Sequence, residues 1–363
     1  MTKLYELSNL GQSIWFDFIR RSFTREGKLL ALIEQGVRGV TSNPSIFEKA
    51  IAGSDDYDAD IRRLAGEGKS VGEIYESIVL TDIQGAADPL RPLYDKTDAR
   101  DGFVSLEVSP TLAHDTKGTI ADAKRLFAAV NRPNLMIKIP ATSAGIPAIE
   151  AVIAAGINVN VTLIFSLTQY EATAKAYISG LEKLLASGGS LARTASVASF
   201  FVSRVDTAVD DALEKLGRID LQGHAAVDNA RRAYARFQEI FSGERWEKLA
   251  RTGARVQRPL WASTGTKNPA YPDTIYVDQL MGPDTVNTVP PATLQAFLEH
   301  GRVASTIGLD LEGARARTAA LLRAGVDLDA ITEKLLVDGV DAFAKAFDGL
   351  MGSIAKKKSV RYG

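Results

Sequence analysis

LMIKIPATSAGIPAIEA, residues 135–151, opens as a strand-like run and holds a single lysine, Lys138, between Ile137 and Ile139. Side chains alternate across a strand, so Leu135, Ile137 and Ile139 share one face and Met136, Lys138 and Pro140 the other. Neighbouring runs read the same way. In FVSLEVS (103–109), Val104, Leu106 and Val108 oppose Ser105, Glu107 and Ser109. In INVNVTLIF (157–165), Val159, Val161 and Leu163 oppose Asn158, Asn160 and Thr162. In a barrel the apolar set packs beneath surrounding helices, which turns the polar set inward.

Outward from this centre the alternation of short strands and longer helical stretches continues. The strand candidates are SIWFDFI (13–19), GVTSNP (39–44), FVSLEVS (103–109), LMIKIP (135–140), INVNVTLIFS (157–166), TASVASFF (194–201), RPLWAST (258–264) and TVNTVP (285–290). Amphipathic segments such as SLTQYEATAKAYISGLEKLLA and AAVDNARRAYARFQEIF lie between them. This order predicts a parallel (β/α)8 TIM barrel. The long gaps after the second and sixth strands predict additional helices there. No Pro/Gly/Ser linker divides the chain, so residues 1–363 read as one barrel domain. From about residue 306 onward the pattern is helical, and these helices are expected to cover the last strand and part of the barrel's base or mouth. The acidic SDDYDAD (54–60) and the basic AKKKSVRYG (355–363) read as solvated surface.

Composition narrows the function. Apolar residues make up 45% and charged ones 24%, the balance of a soluble globular protein. A formal net charge of −1 provides no general attraction for nucleic acid or an acidic membrane. The absence of cysteine excludes disulfides, thiolate metal sites and a cysteine nucleophile. His114, His224 and His300 show no metal-ligand spacing and read as surface or capping residues. No apolar run approaches the roughly 20 residues that span a bilayer, and the first residues lack a signal-peptide pattern. The expectation is a cytoplasmic enzyme with no cofactor and no metal, a monomer or homodimer.

Several strands therefore direct Glu, Asn, Thr and Lys into one interior. One reading is a structural ion pair of Lys138 with Glu107 or Asp17. The other is catalytic. Withdrawing a charge from water costs several kcal/mol, and a plain core would be apolar. Burial favours the neutral form of an amine, and a neutral amine attacks a carbonyl to form a Schiff base. The iminium is an electron sink for carbon–carbon cleavage, and Asp17 and Glu107 are carboxylates available to move protons.

The motifs resemble the transaldolase family over nearly all of the chain up to about residue 300. GVTSNPSIF (39–47) is similar to its first signature and LMIKIPATSAGIPAIE (135–150) to its second, which contains the Schiff-base lysine. INVNVTLIFS, ASFFVSR and WASTGTKNPAYPDT resemble later blocks, the last most like the longer bacterial transaldolases. The resemblance implies that Lys138 forms the Schiff base and that Asp17 removes the hydroxyl proton during aldol cleavage. It implies that Glu107 and Thr162 position a water for proton transfer. Asn43 and Asn160 would hold the dihydroxyacetone unit, Ser199 its terminal hydroxyl, and Arg204 a phosphate. Where the better-known pattern has a second phosphate arginine in a Ser-Phe-Arg-Asn setting, this chain has Ser263-Thr264-Gly265-Thr266-Lys267-Asn268, so Lys267 would carry that charge. Simpler roles compete for some of these: a turn at Asn43–Pro44, packing at Ser199, an ion pair of Arg204 with Asp206.

The implied activity is a transferase of the pentose phosphate pathway that acts on sugar phosphates. It would move a dihydroxyacetone unit from sedoheptulose 7-phosphate to glyceraldehyde 3-phosphate, yielding erythrose 4-phosphate and fructose 6-phosphate. The alternatives are a fructose-6-phosphate aldolase-like enzyme, whose relatives carry glutamine at the position of Glu107 and tyrosine near that of Phe201, and a non-catalytic sugar-phosphate-binding barrel.

Overall fold

The computed structural model describes residues 2–359. Eight strands form it: β1 (Gln12–Phe16), β2 (Gly39–Val40), β3 (Phe103–Glu107), β4 (Leu135–Pro140), β5 (Val159–Ile164), β6 (Ser196–Phe201), β7 (Arg258–Ala262) and β8 (Thr285–Val289). Each pairs in parallel with the next, and β8 returns to β1, closing the barrel in chain order. The (β/α)8 expectation holds, with boundaries shifted by a few residues. The largest shift is at 39–44, where only Gly39 and Val40 are strand. Pro44 has its φ pre-set for the first helical position, and the Asn43 side chain accepts from the Ile46 N–H at 3.0 Å. A helix therefore begins where the strand was expected to continue.

The long gaps hold the expected insertions. Helices Pro44–Ala52, Asp58–Gly66 and Val71–Lys96 follow β2; Ser203–Lys215, Ala225–Ile240 and Glu244–Ala250 follow β6. The acidic stretch 54–60 is not plain solvated surface. Tyr57 is fully buried, Asp56 binds Arg20 at 2.7 Å, and Asp60 binds Arg21. Arg21 is itself buried against Asp82 at 2.7 Å, and Tyr57 donates to the same carboxylate at 2.8 Å. The basic tail is tied down as well: Lys357 donates to Ser54 O at 2.6 Å and pairs with Asp58 at 2.5 Å. Residues 360–363 of that stretch lie outside the described residues. His114, His224 and His300 are all exposed.

At the N-terminal end of the strands the barrel is plugged by a buried ion pair. Arg258 of β7 reaches Asp101 at 3.0 Å and donates to Ser13 Oγ of β1 at 2.9 Å. Trp15 stands next along β1, its indole N–H directed at Asp101. Above this plug the interior holds a second group of polar side chains. The strand register places Glu107 beside Lys138 and Lys138 beside Asn160, so β3, β4 and β5 deliver three polar side chains at one level.

The C-terminal helices were expected over the last strand and part of the barrel's base or mouth. The final helix, Leu328–Ser359, lies at the mouth, packing mainly on Pro44–Ala52, Asp58–Gly66, Val71–Lys96 and Ser203–Lys215, and the strand it touches is β5. Its buried stripe of Val340, Phe343, Leu350 and Ile354 recurs at helical spacing, which fixes the face it presents to the mouth. Gly339 permits the approach, since a Cβ there would lie 2.9 Å from Leu163 Cδ2.

Gly39 is set against the plug. A Cβ at this position would meet Trp15 Cδ2 at 2.6 Å and Cε2 at 2.7 Å, and a fully buried indole has no room to yield. Gly39→Ala should cost about 1–3 kcal/mol, the usual range for overpacking. The measurement is urea unfolding, where the midpoint should fall at constant slope; an unchanged midpoint would show that the plug repacks freely.

Candidate active site

At the C-terminal ends of the strands, where barrels of this kind place their sites, lies a cleft of about 560 Å³. Seven of the nine residues singled out from the sequence line it: Asp17, Asn43, Lys138, Thr162, Ser199, Arg204 and Lys267. Glu107 and Asn160 stand one layer behind the wall, touching residues that line it.

Lys138 is 5% exposed. Its Nζ donates to the Ser42 carbonyl at 3.0 Å and lies 3.6 Å from Glu107 Oε2. The Phe343 ring, contributed by the final helix, is centred 6.0 Å from it. Burial raises the Glu107 carboxyl from its ordinary 4.5 to about 7, against the opposing pull of Lys138. Asp17 continues β1, its N–H bonded to Val289 O at 2.9 Å. Its Oδ1 accepts from Thr41 at 2.6 Å, and Thr41 is in turn 2.5 Å from Thr288 Oγ1. Burial pushes this carboxyl upward too, while the Thr41 hydrogen bond and the charge of Lys138 hold it down. One amine thus faces two carboxyl groups, each of which burial inclines toward keeping a proton.

On β5, Thr162 precedes an irregularity. The register with β6 shifts between Val161 and Ile164, and Leu163 adopts a left-handed φ of 58°, unusual for a branched residue. Thr162 Oγ1 and Glu107 Oε2 are both buried without a protein hydrogen-bond partner. Asn160 has a different setting: it donates to Ser105 Oγ at 3.0 Å and accepts from Ser199 Oγ at 2.6 Å. That chain links β3, β5 and β6 beneath the cleft. Asn43 spends its Oδ1 on a helix cap, yet the residue still lines the cleft.

The cations differ from these. Arg204 is in the first turn of Ser203–Lys215, its guanidinium 5.3 Å over the Phe201 ring. The proposed ion pair with Asp206 is absent. Asp206 is occupied by the Ala226 N–H and the Tyr276 hydroxyl, both at 2.7 Å. Arg204 has no carboxylate partner among the described residues, and burial lowers its pKa from the ordinary value. Lys267 is exposed in the loop after β7, a loop held by Tyr271 donating to Asp210 at 2.7 Å. Sequence reasoning overlooked Lys49, exposed on Pro44–Ala52 and lining the same cleft. Its nearness to the first signature was a usable signal. Phe343 had no local signal, because its place depends on the docking of a helix two hundred residues downstream of Lys138.

Comparison with known proteins follows the same lines. Residues 14–354 match the family described as Transaldolase/Fructose-6-phosphate aldolase. A relative named Transaldolase 2 from Nostoc punctiforme is 48% identical over 372 residues, covering 98% of each chain. One named Transaldolase from Thermobifida fusca is 50% identical over 359 residues, again 98% of each. Transaldolase 1 of Streptomyces avermitilis is 50% identical across 97% of this chain and 94% of its own.

The electrostatics can be tested directly. An NMR titration of isotope-labelled glutamate carboxyls should place Glu107 near 7. Lys138→Met removes the charge that favours the carboxylate, so the midpoint should rise further. A midpoint at the ordinary glutamate value, or a downward move in Lys138→Met, contradicts burial as the leading cause.

Proposed function

The chain belongs to the transaldolase/fructose-6-phosphate aldolase family, and on that premise we propose how its cleft performs the activity its relatives are named for. It is an enzyme with transaldolase activity. The observation that carries the residue assignment is the buried Lys138 Nζ at 3.6 Å from Glu107, at the floor of a cleft that also holds an arginine without an acidic partner.

In its amine form Lys138 adds to the ketose carbonyl, giving a carbinolamine. Glu107 and Thr162 serve a water that carries protons at this stage; their two unpartnered oxygens suit groups that share a small polar molecule. Loss of water gives the iminium. Asp17 then takes the proton from the hydroxyl on the fourth carbon, the bond between the third and fourth carbons breaks, and its electrons pass into the iminium. The aldehyde leaves, and the enamine remains on Lys138. An acceptor aldehyde reverses these steps, with Asp17 returning the proton, and hydrolysis releases the new ketose. Asn43 and Ser199 orient the dihydroxyacetone unit, with Asn160 holding Ser199 from beneath. Arg204 and Lys267 bind the phosphate.

The donor and acceptor we assign are sedoheptulose 7-phosphate and glyceraldehyde 3-phosphate, in the pentose phosphate pathway. Transfer is favoured over simple aldol cleavage by Glu107 and by Phe201, whose ring lines the cleft and supports Arg204. We also read the chain as one catalytic unit, since its final helix supplies Phe343 to the cleft. No helix among the described residues is long and apolar enough to cross a membrane, and the cytoplasm is the expected compartment.

Borohydride reduction with fructose 6-phosphate present should fix a three-carbon adduct on Lys138, and Lys138→Arg should reduce turnover to background. An adduct mapped to any other lysine would sink the assignment. For the phosphate, a charge-assisted contact is worth about 1.5–3 kcal/mol, or about ten- to a hundredfold in affinity. Arg204→Ala should raise KM for phosphorylated donors by that order, and Lys267→Ala by less, because its ammonium is more exposed. Free dihydroxyacetone as donor should be nearly unaffected. Equal losses with both donors would mean that the two residues support the fold.

A further inference from the structure

A second cavity of about 540 Å³ lies between the helices Val71–Lys96 and Thr116–Val130, roofed by Phe347 and Met351 of the final helix. Glu107 lines this cavity and not the sugar-phosphate cleft, whereas Lys138 lines the cleft and not this cavity. The 3.6 Å contact between them is therefore the partition between the two spaces. We propose that the second cavity is the entrance by which water and protons reach Glu107, separate from the route taken by the sugar phosphates. The inference rests on the reading of Glu107 as the proton carrier for the imine.

The polar groups form a path toward Glu107 along an otherwise apolar wall. At the rim Arg125 bridges Glu76 and Asp122, each at 2.7 Å. Beside it Asp122 accepts the Ser109 N–H at 3.1 Å, two residues along the chain from Glu107, and Ser109 Oγ is 2.8 Å from the exposed Thr111 Oγ1. Tyr75 stands on the same wall, its ring edge-on to Phe347 at 5.2 Å. One turn before Phe347, Phe343 covers Lys138, so a single helix closes both spaces. A transferase benefits from such a division. The enamine has to outlast the exchange of aldehydes in the cleft, yet water has to reach the iminium carbon at the end. Water adds its oxygen to that carbon while a proton passes to Glu107. Glu107 returns that proton to Nζ, and the Nζ–carbon bond of the carbinolamine breaks as its hydroxyl proton is lost to water, leaving ketone and free amine. A ketose bound in the cleft obstructs the front approach, and Glu107 keeps its own access from behind.

The absence of cysteine makes a reversible plug possible. Ala121 is exposed at the rim of the second cavity, so Ala121→Cys can be capped in the folded enzyme with a bulky aryl disulfide and uncapped with reductant. Quench-flow borohydride trapping then reports imine formation and hydrolysis with fructose 6-phosphate, beside Glu107→Gln. The bulky cap should slow both steps by up to about a hundredfold, the lower end of general acid–base contributions. KM for the phosphorylated donor should hold, reductant should restore the rates, and a methylthio cap at the same position should have little effect. If the bulky cap changes nothing while Glu107→Gln is slow, water enters through the cleft and the proposal falls with the Glu107 reading intact. If neither is slow, both fall. Equal slowing by the methylthio cap would also overturn it, since occlusion would not be the cause.

Discussion

An amine inside a barrel has to be answered. Lys138 is almost fully withdrawn from water, and three groups meet it: a backbone carbonyl from Ser42, the Glu107 carboxyl, and at longer range the charge of Asp17. Each answer is incomplete. The ion pair is long, one Glu107 oxygen has no hydrogen bond, and burial draws both carboxyls toward their protonated forms. A fully satisfied buried pair would be inert. This one leaves two carboxyls that burial inclines toward holding a proton, a condition suited to acid–base chemistry near neutrality. The barrel can tolerate the arrangement because its other end is closed by a conventional, fully bonded pair, Arg258 with Asp101.

The cations at the mouth follow a related logic. Many arginines of this chain are bound to carboxylates, including Arg21, Arg258 and Arg317. Arg204 is held by an aromatic ring and left without an anion. With a net charge of −1, affinity for a phosphate depends on such local exceptions and not on the field of the whole molecule. Two of the left-handed non-glycine residues lie in the same region. Leu163 and Ser263 both have left-handed φ values, 58° and 55°, beside the ends of β5 and β7. For residues with a side chain this conformation costs about 1–2 kcal/mol, so packing around the cleft has to sustain it.

Much of this was legible in the sequence because it is encoded by short-range alternation. LMIKIP occupies the strand it was expected to occupy, and its period-two pattern alone turned Lys138 inward. Glu107 and Thr162 followed from the same rule. What escaped has a non-local cause. Asp56, Asp58 and Asp60 looked like surface because their buried or distant partners, Arg20, Arg21 and Lys357, arrive through tertiary folding. Phe343 was unreadable for the same reason. Asn43 shows a third case, where the turn-forming and functional readings coexist in one side chain, with Oδ1 spent on the cap and the residue still facing the cleft.

The final helix has a consequence for biosynthesis. Chains emerge from the ribosome N-terminus first, and early segments begin to fold before late ones exist. Here β8 ends at Val289, while the aromatic ring over Lys138 belongs to residue 343. A nascent chain can therefore close its hydrogen-bonded cylinder with the amine still uncovered. The wall of the cleft that carries Phe343 is thus synthesised after every strand of the barrel, on a helix anchored by Lys357 to Asp58.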